Sequence, residues 1–152
     1  MARHIVLSFP DEGISAQAEL LEDVAPATCR LVWERLPVEN RTIHGMYSGR
    51  EVFIMVEPPQ AVKDENLVNL PLPGEIFYFH QEGGVYVDAD CSYSEICIVY
   101  GRGVQFRGEG GASSFANLFA RFTGDWSAFA EACRRVRYNG PRRLRIERDE
   151  GE

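Results

Sequence analysis

The run "EIFYFHQEGGVYVDADCSYSEICIVYG" (75–101) decides how the fold is read. It contains three short segments rich in β-branched and aromatic residues, "EIFYFH" (75–80), "VYVDA" (85–89) and "EICIVYG" (95–101), separated by Gly, Asp and Ser. Such side chains lose rotamer freedom on a helix and pack well on a pleated surface, so three strands are expected here.

The same signal extends outward in both directions. Towards the N-terminus, "IHGMYSGREVF" (43–53) reads as a hairpin turning at Ser48 and Gly49, and His4 to Phe9 followed by Ile14 to Leu20 reads as another across "PDEG". Towards the C-terminus, "SFANLFARFT" (114–123) and "RRLRIER" (142–148) alternate like strands. Two segments have a helical period instead. Ala25, Cys29, Val32, Trp33 and Leu36 form one stripe, with Asp23 as the expected N-cap and Pro26 in the first turn. Trp126, Phe129, Ala130, Cys133 and Val136 form another, with Gly140 at the C-terminal stop. The four-proline stretch "EPPQAVKDENLVNLPLPGE" (57–75) has no period and is expected to be a long ordered loop. About eight strands, two helices and no βαβ rhythm predict a mainly β fold: a closed antiparallel barrel with helices capping its ends. The chain is expected to form a single domain over residues 1–152.

Composition narrows the function classes. With 16 Lys and Arg against 23 Asp and Glu, the net charge is −7, which disfavours nucleic acid and anionic membranes because both need clustered positive charge. The one basic cluster begins with Arg134, Arg135 and Arg137, where a helix end takes cations. Four cysteines (Cys29, Cys91, Cys97, Cys133) make no C-x-x-C pair and lack histidines at ligand spacing, so neither metal nor cofactor is expected. No signal-peptide core and no run approaching 18 apolar residues is present, so a cytoplasmic protein is expected.

Several side chains are candidates for chemistry. His44 titrates near neutrality and is read as an acid/base, with Tyr47 and Glu51 in support; Glu51 is expected to face His44 across the hairpin. Arg102, between two glycines at a strand end, is read as a carboxylate anchor. Asn117 and Arg121, expected on one strand face, would line a ligand site with Tyr78 and Tyr100. Cys91 in "CSY" has no adjacent base to activate it. The glycines of "GRGVQFRGEGG" (101–111) lack the lysine and the strand-to-helix context of a phosphate loop and are read as a flexible loop or lid.

The segments "ATCRLVWERLPVENRTIHGMYSGREVFI" (27–54), "LPLPGEIFYF" (70–79), "EICIVYGRG" (95–103) and "FANLFARFTGDWSAFAEACRRVR" (115–137) follow an order that resembles the small bacterial cyclophilin-like proteins of uncharacterised function. The resemblance implies a cyclophilin-like barrel and leaves the chemistry open. It does not extend to the prolyl-isomerase signature. "YFHQEGG" (78–84) has Gln81 where that signature carries arginine, so isomerase activity is not expected. Two functions follow. One is a ligand site at the barrel mouth for a small carboxylate or amide, acting as a hydrolase or isomerase. The other is a non-catalytic binding module or homo-oligomer joined through Leu67, Val68, Leu70 and Leu72.

Overall fold

The computed structural model of the chain describes residues 2–83 and 92–151. Its strands are β1 (His4–Phe9), β2 (Ile14–Leu20), β3 (Val38–Arg41), β4 (Ile43–His44), β5 (Glu51–Met55), β6 (Leu67–Val68), β7 (Glu75–Gln81), β8 (Tyr93–Val99), β9 (Ala116–Thr123) and β10 (Arg143–Arg148). The helices are α1 (Pro26–Arg35) and α2 (Ser127–Asn139). The expected strand 85–89 and Cys91 lie outside the described residues.

The strands form one antiparallel sheet in the order β3-β10-β1-β2-β9-β7-β8-β5-β4, with β6 added to β9. The fold is mainly β with two helices, as expected, but the hydrogen-bonded path is open at β3 and β4 and the structure does not show a closed barrel. The Pro-rich segment is less irregular than its composition implies, because Leu67 and Val68 pair with Asn117 and Ala116.

Strand alternation gives the sheet two buried faces. Val52 and Ile54 of β5, Ile76 and Tyr78 of β7 and Ile96 and Ile98 of β8 pack with Cys29 and Val32 of α1 and Phe129, Cys133 and Val136 of α2. Each large side chain enclosed there contributes about 1.5–3 kcal/mol. The intervening residues Phe77, Cys97 and Val99 face the other way and pack with Val104, Phe106, Ala116 and Leu118. Neither α-helix packs on this second face; segment 104–116 covers it instead.

Helix α1 is held by a distant residue. Its N-cap is Ala25, with no side-chain cap, and Asp23 plays no part in it. The free N–H of Thr28 instead donates to Glu65 Oε1 at 2.6 Å, and Asn117 Nδ2 donates to Thr28 Oγ1 at 3.0 Å. A carboxylate on exposed N–H groups at a helix start also meets the positive end of the dipole. Together these contacts pin the Pro-rich segment across the helix and the sheet.

Candidate functional site

A cavity of about 480 Å³ opens on the face away from the helices. Its floor follows from strand register. Phe53 lies opposite Cys97 and Met55 opposite Glu95, while Glu51 lies opposite Val99, so Glu51, Phe53, Met55, Glu95 and Cys97 share one face. Phe79 of β7 and Ala116 of β9 extend the floor. The walls are Gly45 to Ser48 on one side and Phe106 to Gly108 on the other.

Those walls are tied to each other. Ser48 Oγ accepts from Arg107 N at 3.0 Å, and Gln105 N donates to Ser48 O at 3.2 Å. Phe106 N donates to Asn69 O at 2.9 Å, and Val104 and Phe106 are buried. The glycine-rich segment is therefore an anchored wall, not the flexible lid that its glycines imply. Apolar side chains at 104 and 106 bury against Phe77 and override the glycines.

The two carboxyls give the cavity its character. Glu51 is only 7% exposed, and its Oε2 is enclosed with no hydrogen-bond partner among the described residues. Burial, then the nearby Glu95 charge, push the Glu51 carboxyl up to about 8, while the Cys97 thiol and Ser48 hydroxyl pull it back. Burial pushes Glu95 up to about 7, opposed by its bond from Cys97 Sγ at 3.3 Å. The Cys97 thiol, buried beside both acids, is raised well above its ordinary value and stays protonated, which removes it as a nucleophile. Gly45 makes room for this arrangement, since a Cβ there would stand 2.6 Å from Glu51 Cγ. No group of three or more potential metal ligands occurs among the described residues.

Of the residues read from sequence, Glu51 and Tyr47 line this cavity and the other six do not. His44 pairs with Val52, so its side chain points to the helix side, opposite Glu51. Its Nδ1 donates to the Gly45 carbonyl at 2.8 Å, which leaves Nε2 to accept from Tyr100 OH at 2.6 Å. Burial lowers the His44 pKa, so the ring is held neutral. The expected His44–Glu51 pair does not form, because neighbouring register positions point to opposite faces.

Tyr78 is buried on the helix side and donates to Gln60 O at 2.5 Å. Asn117 and Arg121 do not share a face. A bulge between β7 and β9, where Ile76 pairs with Ala120 but Phe77 with Leu118, shifts the alternation by one residue. Asn117 is buried against Thr28, whereas Arg121 lies at the surface with its guanidinium 3.0 Å from Glu75 Oε2. Arg102 is exposed and outside the cavity lining.

A second polar cluster has the order of a nucleophile relay. His80 Nδ1 lies 2.7 Å from Ser94 Oγ, and its Nε2 lies 3.0 Å from Glu82 Oε1. Ser94 is fully buried, however, and its hydroxyl donates to Gln60 O at 3.2 Å while accepting from Gln60 N at 3.0 Å. It fastens the Pro-rich segment and has no path to a substrate. Sequence reasoning passed over Glu95, although period-2 counting along "EICIV" places it with Cys97 and Val99 on one face.

Solved structures with this architecture were found at low sequence identity. McbB, described in complex with tryptophan, matches with a TM-score of 0.76 and 17% identity over 97% of this chain. The chain spans 45% of the length of McbB. The hypothetical protein AF2241 from Archaeoglobus fulgidus, described as a solution structure, matches with a TM-score of 0.63 and 17% identity, covering 97% of this chain and 95% of that one. At such identity the likeness is one of fold. No curated protein matches in sequence. The profile of the family "Protein of unknown function (DUF3830)" matches residues 7–147, and the chain belongs to that family.

Proposed function

We propose that the chain is a small-molecule-binding protein whose ligand occupies the cavity over β5 and β8 and donates a hydrogen bond to Glu51. The observation that carries this reading is Glu51 Oε2, enclosed at the cavity and unpaired among the described residues. An enclosed oxygen without a donor costs about 1–3 kcal/mol, which a ligand N–H or O–H removes. Phe53, Phe79 and Phe106 supply the apolar contact area that ligand pockets use for affinity. An amide, one of the ligands expected from sequence, fits these walls. A carboxylate is disfavoured, because acids line the cavity and Arg102, its expected anchor, lies elsewhere. That McbB is described with tryptophan adds a small molecule held by a protein of similar fold.

One observation favours catalysis at the same place. Burial raises both carboxyls towards neutral pH, Glu51 to about 8 and Glu95 to about 7, the range in which an acid/base hydrolase or isomerase exchanges protons. A cyclophilin-like barrel belongs to the same proposal. It is supported by Thr42, whose N–H donates to Arg142 O at 2.7 Å on one edge of the sheet while Ile43 pairs with Phe53 on the other. The homo-oligomer reading is supported by the exposure of Leu67, Leu70 and Leu72, whereas Val68 packs against the second core; light scattering tests it.

A thermal-shift screen of small amides, amines and acids tests the cavity. Ala116→Phe grows a ring from the floor into that space. Hits are expected to stabilise the wild type and not the variant; equal shifts in both proteins refute the assignment.

A further inference from the structure

The class of ligand follows if the cavity holds a small molecule, as proposed. We infer that the cavity takes a compact organic cation, an ammonium on an apolar or aromatic body, with its nitrogen between Glu51 and Glu95 and its body against Phe53, Phe79 and Phe106.

Geometry and charge lead to this together. The two carboxyls stand on adjacent antiparallel strands and on the same face. Glu51 is more than nine-tenths buried, with one oxygen unpartnered. Among the described residues no lysine or arginine pairs with either acid. The one basic side chain in the lining, Arg107, is exposed and donates to Gln105 Oε1 at 2.6 Å. An enclosed carboxylate needs a counter-charge, and an ammonium brings both the charge and the N–H donors. The aromatic rings in the lining are a source of cation–π attraction. Two acids against one guanidinium leave the ionised cavity negative.

Binding is then coupled to protons. The groups facing Glu51 are Glu95 and Cys97 from β8, Tyr47 and Ser48 from its own hairpin, and Tyr93 and Arg107 from the cavity rim. Of these, the two carboxyls change charge between pH 6 and 8. They hold an ammonium best when ionised, so the cation displaces protons and its affinity rises with pH. A neutral alcohol or amide has no such requirement.

Isothermal titration of the full chain with 2-phenylethylamine, 2-phenylethanol and phenylacetate, at pH 6 and pH 8 and in buffers of different ionisation enthalpy, separates these cases. The amine is expected to bind tightest, to gain roughly tenfold in affinity from pH 6 to pH 8, and to release protons to the buffer. Glu51→Gln is expected to lose most of that gain, and Ala116→Phe to lose binding. If the alcohol or the acid binds as tightly as the amine, or the amine's affinity is flat with pH, the cation inference fails while the cavity reading stands, provided Ala116→Phe abolishes the binding. Binding that survives Ala116→Phe overturns both. Absence of binding by all three probes overturns the cation inference, and the thermal-shift screen then decides the cavity reading separately.

Discussion

The two faces of this sheet are built from alternate residues of the same strands, yet they are used differently. Val52, Ile54, Ile96 and Ile98 face two helices and are sealed completely. Their neighbours Glu51, Phe53, Glu95 and Cys97 face an irregular segment, and there a cavity with two acids remains. Helices present a continuous apolar stripe that fills space at crystal-like density. A loop covering a sheet meets it at a few points, here Val104 and Phe106, and leaves gaps between them. A close-packed face and a site are thus separated by the thickness of one strand.

Phe129 is fully buried under the sheet between Phe9 and Phe122, and Phe129→Ala is expected to cost about 3–5 kcal/mol in urea unfolding. A cost below about 1 kcal/mol would break the picture of a tight helix side.

On the cavity face the larger effect is pH dependence. Glu51 and Glu95 have folded values above the ordinary 4.5, so the stability they contribute is complete below about 4.5 and is lost as pH rises towards about 7 and 8. Unfolding free energy is expected to fall between pH 5 and pH 8, and Glu51→Gln to recover on the order of 3 kcal/mol at pH 8 while changing little at pH 5. Parallel pH curves for the two proteins would count against an uncompensated acid.

Gly45→Ala probes the seam where the hairpin crosses the cavity. The new methyl meets Glu51 Cγ, and a loss of about 1–3 kcal/mol together with weakened ligand shifts is expected. The smallest change is expected at His44, on the helix side. His44→Asn removes the bond to Tyr100, about 1 kcal/mol, and leaves cavity binding intact; lost binding would return His44 to the site.

Much of the fold was legible because it depends on local periodicity. Both helices, the β1–β2 hairpin and the strands at 75–80 and 95–101 follow from apolar spacing. Pro26 in the first turn of α1 and Gly140 after α2 are where their backbone preferences place them. The site was legible only in part. Glu51 and Tyr47, singled out beside their glycine-rich turn, line the candidate cavity, whereas Arg121 was put on the face of Asn117 because alternation alone does not reveal the bulge.

The sequence by itself determined the element types, the two helical stripes, the acidic charge balance and the alternation that gives each strand an apolar face. Tertiary structure alone decided which alternate face meets helices and which meets a loop. It also brought Glu95, 44 positions from Glu51, onto the same cavity floor. The physical reason is that burial and the field of a neighbouring charge depend on distance in space, which strand register sets and chain order does not.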